Sequence, residues 1–283
     1  MRTAKLLAKV LAVSLLAMPC VAQLPAATDA PAPKETVLPP RRPQMHFGAN
    51  ALVEVFCSIV STECVQLLSA VRRLQTEFEE RSTEAQIVVF HVGFLDTPTA
   101  RDPYGEQLSE RKQRDYAELL RAKRVGVPQL FVNGVKVPVL LDGASISAAT
   151  VHALTIPATR KVQLRIERGG EPNSFRVHYK VDGLPLKGRN PLEYLHVLLV
   201  RKRLTQKLRV PGKSDPIAIP FTNTVRVLES VRLEGNADDS LELLLPDGVA
   251  AEDMRVVAYT QDARTRKVRG SASVDVARSE AAR

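Results

Sequence analysis

Two short apolar runs separated by one stretch of helical periodicity constrain this chain more than any other feature. Ala51-Leu52-Val53-Glu54-Val55-Phe56 and Gln86-Ile87-Val88-Val89-Phe90-His91-Val92 are short and nearly continuous, which reads as strands buried on both faces. Between them Cys64, Leu67, Leu68, Val71, Leu74 and Phe78 recur at helical spacing and share one apolar face. Strand, helix and strand in this order predict a βαβ unit.

A loop through Asp96, Pro98, Asp102 and Pro103 leads into a charged helix expected at about 106–124. Pro128-Gln129-Leu130-Phe131-Val132 and Val135-Lys136-Val137-Pro138-Val139-Leu140 then flank Asn133-Gly134, a hairpin signal because both turn residues tolerate positive φ. A short helix at about 145–154 closes this part. From Arg160 the pattern changes to strands expected at 160–168, 174–182, 192–200, 222–233, 240–245, 254–261 and 267–276. Their turns carry Gly169-Gly170, Asp182-Gly183, Gly235-Asn236 and Asp247-Gly248. Val162, Leu164 and Ile166 alternate with polar residues, so one face is buried and the other wet. A chain of 283 residues accommodates two domains at about 100–200 residues each. The expectation is an α/β domain over 45–156, an all-β sandwich-like domain over 157–278, and a tail of 279–283.

The N-terminus predicts export. Arg2, Lys5 and Lys9 precede and interrupt an apolar stretch from Leu6 to Met18, and Cys20-Val21-Ala22 supplies the small residues a signal peptidase reads. Residues 1–22 are expected to be a cleaved signal peptide, which puts the mature chain in the periplasm or outside the cell. Pro19 before Cys20 fits a lipoprotein signal poorly. Residues 23–44, with Pro25, Pro31, Pro33, Pro39, Pro40 and Pro43, read as an extended leader. No run reaches the about 18 apolar residues of a membrane span, and with 45% hydrophobic and 25% charged residues the composition is that of a globular chain.

The formal net charge of +9 falls to +6 once the three cations of 1–22 are removed. The densest basic stretch, Arg201-Lys202-Arg203 with Lys207, Arg209 and Lys213, carries no interleaved aromatics and reads as a solvated strand face and loop, so no nucleic-acid partner is expected. His46, His152, His178 and His196 lack metal-ligand spacing, and no phosphate loop or nucleophile elbow occurs, so neither a metal nor a cofactor is expected.

A βαβ unit followed by a helix and a hairpin entered at a proline is the thioredoxin-like order. The local motifs agree: Val53-Glu54-Val55-Phe56, the turn ending at Cys64, Phe90-His91-Val92-Gly93-Phe94-Leu95-Asp96, Arg101-Asp102-Pro103-Tyr104, Gln113-Arg114-Asp115-Tyr116-Ala117 and Val127-Pro128-Gln129-Leu130-Phe131-Val132-Asn133-Gly134. Val225-Arg226-Val227-Leu228 and Val256-Val257-Ala258-Tyr259-Thr260-Gln261-Asp262 continue the match. On these runs the chain resembles a family of secreted bacterial thioredoxin-like proteins known as a domain of unknown function. The resemblance implies a thioredoxin-like first domain. It also implies a Val127–Pro128 bond in the cis form, with Val127, Pro128 and Gln129 presenting backbone to an extended peptide or exported protein partner.

Family members read Gly-Cys-x-x-Cys-Pro-Pro in the turn, where this chain reads Val60-Ser61-Thr62-Glu63-Cys64-Val65-Gln66. Ser61 stands in place of the attacking cysteine. A hydroxyl cannot form a disulfide, so the two-thiol exchange cycle is expected to be lost. The acid that family members carry after the histidine-valine pair is Gly93 here.

Cys64 nevertheless sits where a helix N-terminus stabilises a thiolate. Three chemistries stay open for the candidate site residues Cys64, Cys57 and Ser61. Cys57 and Cys64 form a disulfide, they are two small buried hydrophobes, or Cys64 acts alone as in the Thr-x-x-Cys of peroxiredoxins, which needs an arginine such as Arg111 or Arg114. His91 and Asp96 complete the candidate cleft, with His91 read first as a hydrogen-bonded structural group. The resulting expectation is an exported binding module with a degenerate site, the alternative being a thiol-dependent oxidoreductase.

Overall fold

The computed structural model describes residues 50–171, 173–183 and 192–276. The signal peptide expected at 1–22, the leader at 23–44, the first residues of the domain from 45 and the tail at 279–283 lie outside the described residues.

The βαβ unit is present. Strand β1 (Ala51–Cys57) leads into helix α1 (Thr62–Glu80) and returns as β2 (Ala85–His91), which pairs parallel to β1 with Cys57 opposite His91. Helix α2 spans Gln107–Leu119, shorter than expected. Its end is set by Arg121, at a φ of 51°, with Arg121 N–H on Glu118 O and Ala122 N–H on Ala117 O closing the last turn. Strands β3 (Gln129–Val132) and β4 (Val135–Val137) form the hairpin expected at Asn133-Gly134, and β3 runs antiparallel to β1. Gly134 is required twice over: its φ is +79°, and a Cβ there would stand 1.7 Å from Arg266 O. Helix α3 is Ala144–Leu154.

The second half contributes β5 (Arg160–Arg168), β6 (Ser174–Gly183), β7 (Glu193–Leu208), β8 (Ile217–Leu233), β9 (Ala237–Leu244), β10 (Met254–Asp262) and β11 (Val268–Asp275). One eight-stranded mixed sheet runs β11-β10-β7-β8-β2-β1-β3-β4, and a three-stranded sheet runs β5-β6-β9. The boundary expected between 156 and 157 therefore marks a change of architecture across which one sheet continues, and all described residues fall in one compact unit. The join is narrow: β2 and β8 pair in parallel only at Val89 and Thr224, and the Asn223 side chain donates to Ile87 O at 2.8 Å beside it.

Three apolar clusters hold this frame. The face of β1 and β2 bearing Val53, Val55, Cys57, Ile87 and Val89 packs on α1. The opposite face, with Leu52, Phe56, Val88 and Phe90, packs on Tyr116, Phe131 and Tyr259. The third cluster fills the space between the two sheets, with Phe175, Val177 and Tyr179 facing Leu195, Val197, Met254 and Val256.

Strands β7 and β8 extend well beyond the expected 192–200 and 222–233. A register shift between Leu199 and Val200 bends their paired continuation, and the two ends form an arm whose Leu204, Leu208, Ile217, Ile219 and Phe221 pack against the α1 cluster.

Candidate functional site

The C-terminal end of β1 organises the site. Cys57 is its last residue, and the turn Ser58–Val60 leads to Ser61, the N-cap of α1 at φ −92° and ψ 125°. The Ser61 Oγ accepts from Cys64 N–H at 3.4 Å and donates to Glu63 Oε2 at 2.8 Å, so this serine makes the helix start that a cysteine does not cap. Cys64 follows in the first helical turn and faces inward. Its Sγ accepts from Ser58 N–H at 3.2 Å. Both thiols are free and fully buried, whereas Ser61 is half-buried.

Burial pushes the Cys57 thiol well up, and hydrogen bonding to Cys64 and the charges of Cys64 and Asp102 push the same way. At Cys64 burial also acts upward, but hydrogen bonds from Cys57, Ser58 N–H and Ser61 outweigh it together with the opposing Asp102 charge. Its pKa falls below the ordinary thiol value. Cys64 is therefore the more acidic of two adjacent thiols. The groups that act on it include no arginine, so nothing here supports the single-thiol arrangement with Arg111 or Arg114, both of which are exposed.

His91 ends β2 and is completely buried. Its partner is Asp102 rather than Asp96: His91 Nδ1 lies 2.7 Å from Asp102 Oδ2, which also accepts from Ile59 N–H at 3.0 Å. The second oxygen of Asp102 accepts from Tyr104 N–H at 2.9 Å. Asp96, placed with His91 in the expected cleft, is exposed and accepts from Asp102 N–H at 3.0 Å. Among the described residues His91 Nε2 has no partner, and the ring packs 5.2 Å from Phe221 and 6.0 Å from Tyr104. Being fully buried, His91 does not line the surface cleft in which it was expected. Asp102 is the residue that sequence reasoning missed here. Its only signal was a place in the quoted Arg101-Asp102-Pro103-Tyr104 run.

On the other side of β1, Val127–Pro128 is cis and Gln129 pairs with Phe56. Gln113 on α2 holds this segment, donating to Gly126 O at 2.9 Å and Gln129 Oε1 at 3.2 Å. Val127, Pro128 and Gln129 are half-buried, and Val127 backbone makes no hydrogen bond among the described residues. The structure thus brings Ser61, Cys57 and Cys64 to one side of the β1 end and Val127–Gln129 to the other, with Asp96 exposed on the loop after β2.

A second polar cluster lies beneath the opposite face of β1. Glu54, fully buried, accepts from the hydroxyls of Tyr116 and of Tyr259, the latter at 2.9 Å, with Lys112 Nζ at 4.0 Å. Lys112 donates to Gln261 Oε1 at 2.6 Å and to His196 Nε2 at 3.3 Å, and His196 Nδ1 reaches Ser230 Oγ at 2.8 Å. The legible signal was a carboxylate in the middle of an apolar strand. Among the described residues no group of three or more His, Cys, Asp or Glu is placed to hold a metal, and no helix is long and apolar enough to cross a membrane.

A model of the family described as Protein of unknown function (DUF1223) matches residues 52–261. No curated protein matches the chain. Among solved structures the chain is similar to protein AGR_C_4864 from Agrobacterium tumefaciens, at 14% identity and a TM-score of 0.55, covering 83% of this chain and 98% of that one. It is also similar to HBP35 of Porphyromonas gingivalis, at 15% identity and a TM-score of 0.53, covering 84% of this chain and 79% of that one. These similarities speak to the fold alone.

Proposed function

Taking as premise that the chain belongs to the DUF1223 family of proteins of unknown function, we propose that it is an exported, thioredoxin-like protein whose degenerate site binds an extended segment of a partner protein and does not exchange disulfides with it. The βαβ unit, the cis Val127–Pro128 bond and the adjoining hairpin support the thioredoxin-like reading. The basic and apolar N-terminal pattern supports export.

One observation carries the binding reading. The group at the surface of the turn is the Ser61 hydroxyl, while Cys64 is buried behind it with its sulfur already engaged by Ser58 N–H. Attack on a protein disulfide needs an exposed thiolate, and an oxygen in its place forms no mixed disulfide. What the turn still offers is hydrogen bonding, and across the β1 end the Val127 backbone is open to pair with an extended chain.

The test has two arms on the full chain. In an insulin-reduction assay the natural chain should show no turnover, with Ser61→Cys as the variant that restores an exposed thiol. On an array of unstructured peptides the natural chain should capture a subset, and Ser61→Arg, which fills the turn, should lose it. Insulin turnover by the natural chain at the rate of an intact dithiol protein overturns the reading, as does capture unaffected by Ser61→Arg.

A further inference from the structure

We propose that Cys57 and Cys64 are themselves a redox couple, a buried dithiol that a small hydroperoxide converts to an intramolecular disulfide. This pair is distinct from the two turn positions at which family members carry their cysteines, since Cys57 belongs to the strand and not to the turn. The geometry points to it directly. Cys64 Sγ accepts from the N–H of Ser58, the peptide unit that follows Cys57, at 3.2 Å. That nitrogen is two bonds from the Cys57 Cα, so the Cys64 sulfur lies within about 5.6 Å of that Cα, and hydrogen bonding between the two cysteine side chains sets the sulfurs side by side. Both residues face the same apolar cluster between β1 and α1, and both are free thiols.

The environment divides the roles. Cys64, at the first turn of α1 with its sulfur accepting from Ser58 N–H, is the one held toward the thiolate, and Cys57 is held protonated by burial first and by its neighbours second. Cys64 attacks the peroxide, forming an S–O bond as the O–O bond breaks, and leaves a sulfenic acid and an alcohol, or water from hydrogen peroxide. Cys57 sulfur then attacks the Cys64 sulfur, the S–S bond forms, the S–O bond breaks, and the hydroxyl leaves with the Cys57 proton as water. In sum, two thiols are oxidised and one peroxide is reduced. Full burial of both sulfurs excludes a protein disulfide as the oxidant and selects a molecule small enough to enter when the 58–61 turn opens locally.

The sequence makes the product simple to detect. No lysine or arginine lies between Arg42 and Arg72, so one tryptic peptide carries both cysteines and no third. Purified full-length protein is treated with hydrogen peroxide, unfolded, alkylated with iodoacetamide, digested and weighed. The expected result is a 42–72 peptide about 2 Da lighter than the dithiol form, free of alkylation, and restored to two alkylated cysteines by dithiothreitol. In Cys57→Ser the same treatment should leave Cys64 as sulfenic or sulfinic acid, and in Cys64→Ser it should leave Cys57 alkylatable. Two alkylated cysteines in the treated natural chain overturn the proposal, as does a bridge that joins either one to Cys20 or to a second chain. The natural chain decides the matter alone should either variant fail to fold.

Discussion

Asp102 shows how much one side chain can carry at this site. Its two oxygens satisfy the buried N–H groups of Ile59 and Tyr104 and orient His91, fixing the 58–61 turn to the loop that follows β2. Removing an acceptor leaves each buried donor unsatisfied at about 1–3 kcal/mol, so Asp102→Ala should lose about 2–5 kcal/mol of unfolding free energy in urea titration. A variant as stable as the natural chain would show that the turn is held by other means. Asp102 also raises the Cys64 pKa by its charge. Asp102→Asn should therefore shift the pH midpoint of Cys64 alkylation downward, because the thiolate no longer faces a carboxylate. None of this was legible in the sequence, where Asp96 and Asp102 are two acids in one loop. Which of them turns inward is decided by Asp96 Oδ1 capping the Asp102 N–H, a contact no spacing rule encodes.

The β7–β8 arm is the element that encloses the thiols. Alternate residues Leu204 and Leu208 point toward α1 while Arg203, Lys207 and Arg209 are exposed, so the expected solvated strand face is there, on strands longer than expected. The charges made the segment look like a loop, yet they are partnered: Arg203 with Glu79, Lys202 with Asp275 and Arg201 with Asp253. Elements whose own pattern was sufficient were legible, such as β1, α1, β2 and the Asn133-Gly134 hairpin. The arm was not, because it is anchored in part by α1, more than a hundred residues away. Arg72 on α1 donates to Thr222 Oγ1 at 2.7 Å, Leu204 O at 2.6 Å and Phe221 O at 2.5 Å, tying both strands down. Arg72→Met should raise amide hydrogen exchange in 203–208 and 217–222 while leaving β10 and β11 protected. Equal exchange in the variant and the natural chain would remove Arg72 from this role. Phe221 packs on His91 and Tyr104 at the base of the arm. Phe221→Ala should cost about 3–5 kcal/mol and speed alkylation of Cys64 in the folded protein, the second effect separating loss of cover from simple loss of stability.

At the scale of the molecule, the Glu54 cluster joins elements from both halves of the chain: Glu54 from β1, Lys112, Asp115 and Tyr116 from α2, His196 from β7, Tyr259 and Gln261 from β10, with Arg266 from the following turn. Burial is the largest influence on Lys112 and lowers its pKa from 10.5 to about 8, with Glu54 and Asp115 pulling it back up and Arg266 pushing it down. Burial likewise drives His196 well below 6.5, so a neutral imidazole accepts from the lysine. The consequence for stability has a definite sign. Below pH 8 the lysine is charged in folded and unfolded chains alike, and the burial cost is borne in full. Between pH 8 and about 10 the unfolded chain keeps the proton that the folded one has released, so the unfolded state binds more protons and stability rises with pH, by about 1.4 kcal/mol per unit at most. Above that window the trend reverses, because Tyr116 and Tyr259 are pushed well above 10, first by burial and then by Glu54, and the unfolded tyrosines ionise first. Lys112→Met removes the titrating group but keeps its volume. The difference in unfolding free energy between the natural chain and Lys112→Met should therefore grow in favour of the natural chain by about 2–3 kcal/mol from pH 8 to pH 10. A constant difference over that range would mean that Lys112 keeps its proton in the folded state, held by Glu54 and Gln261 as a permanent buried ion pair between the two halves.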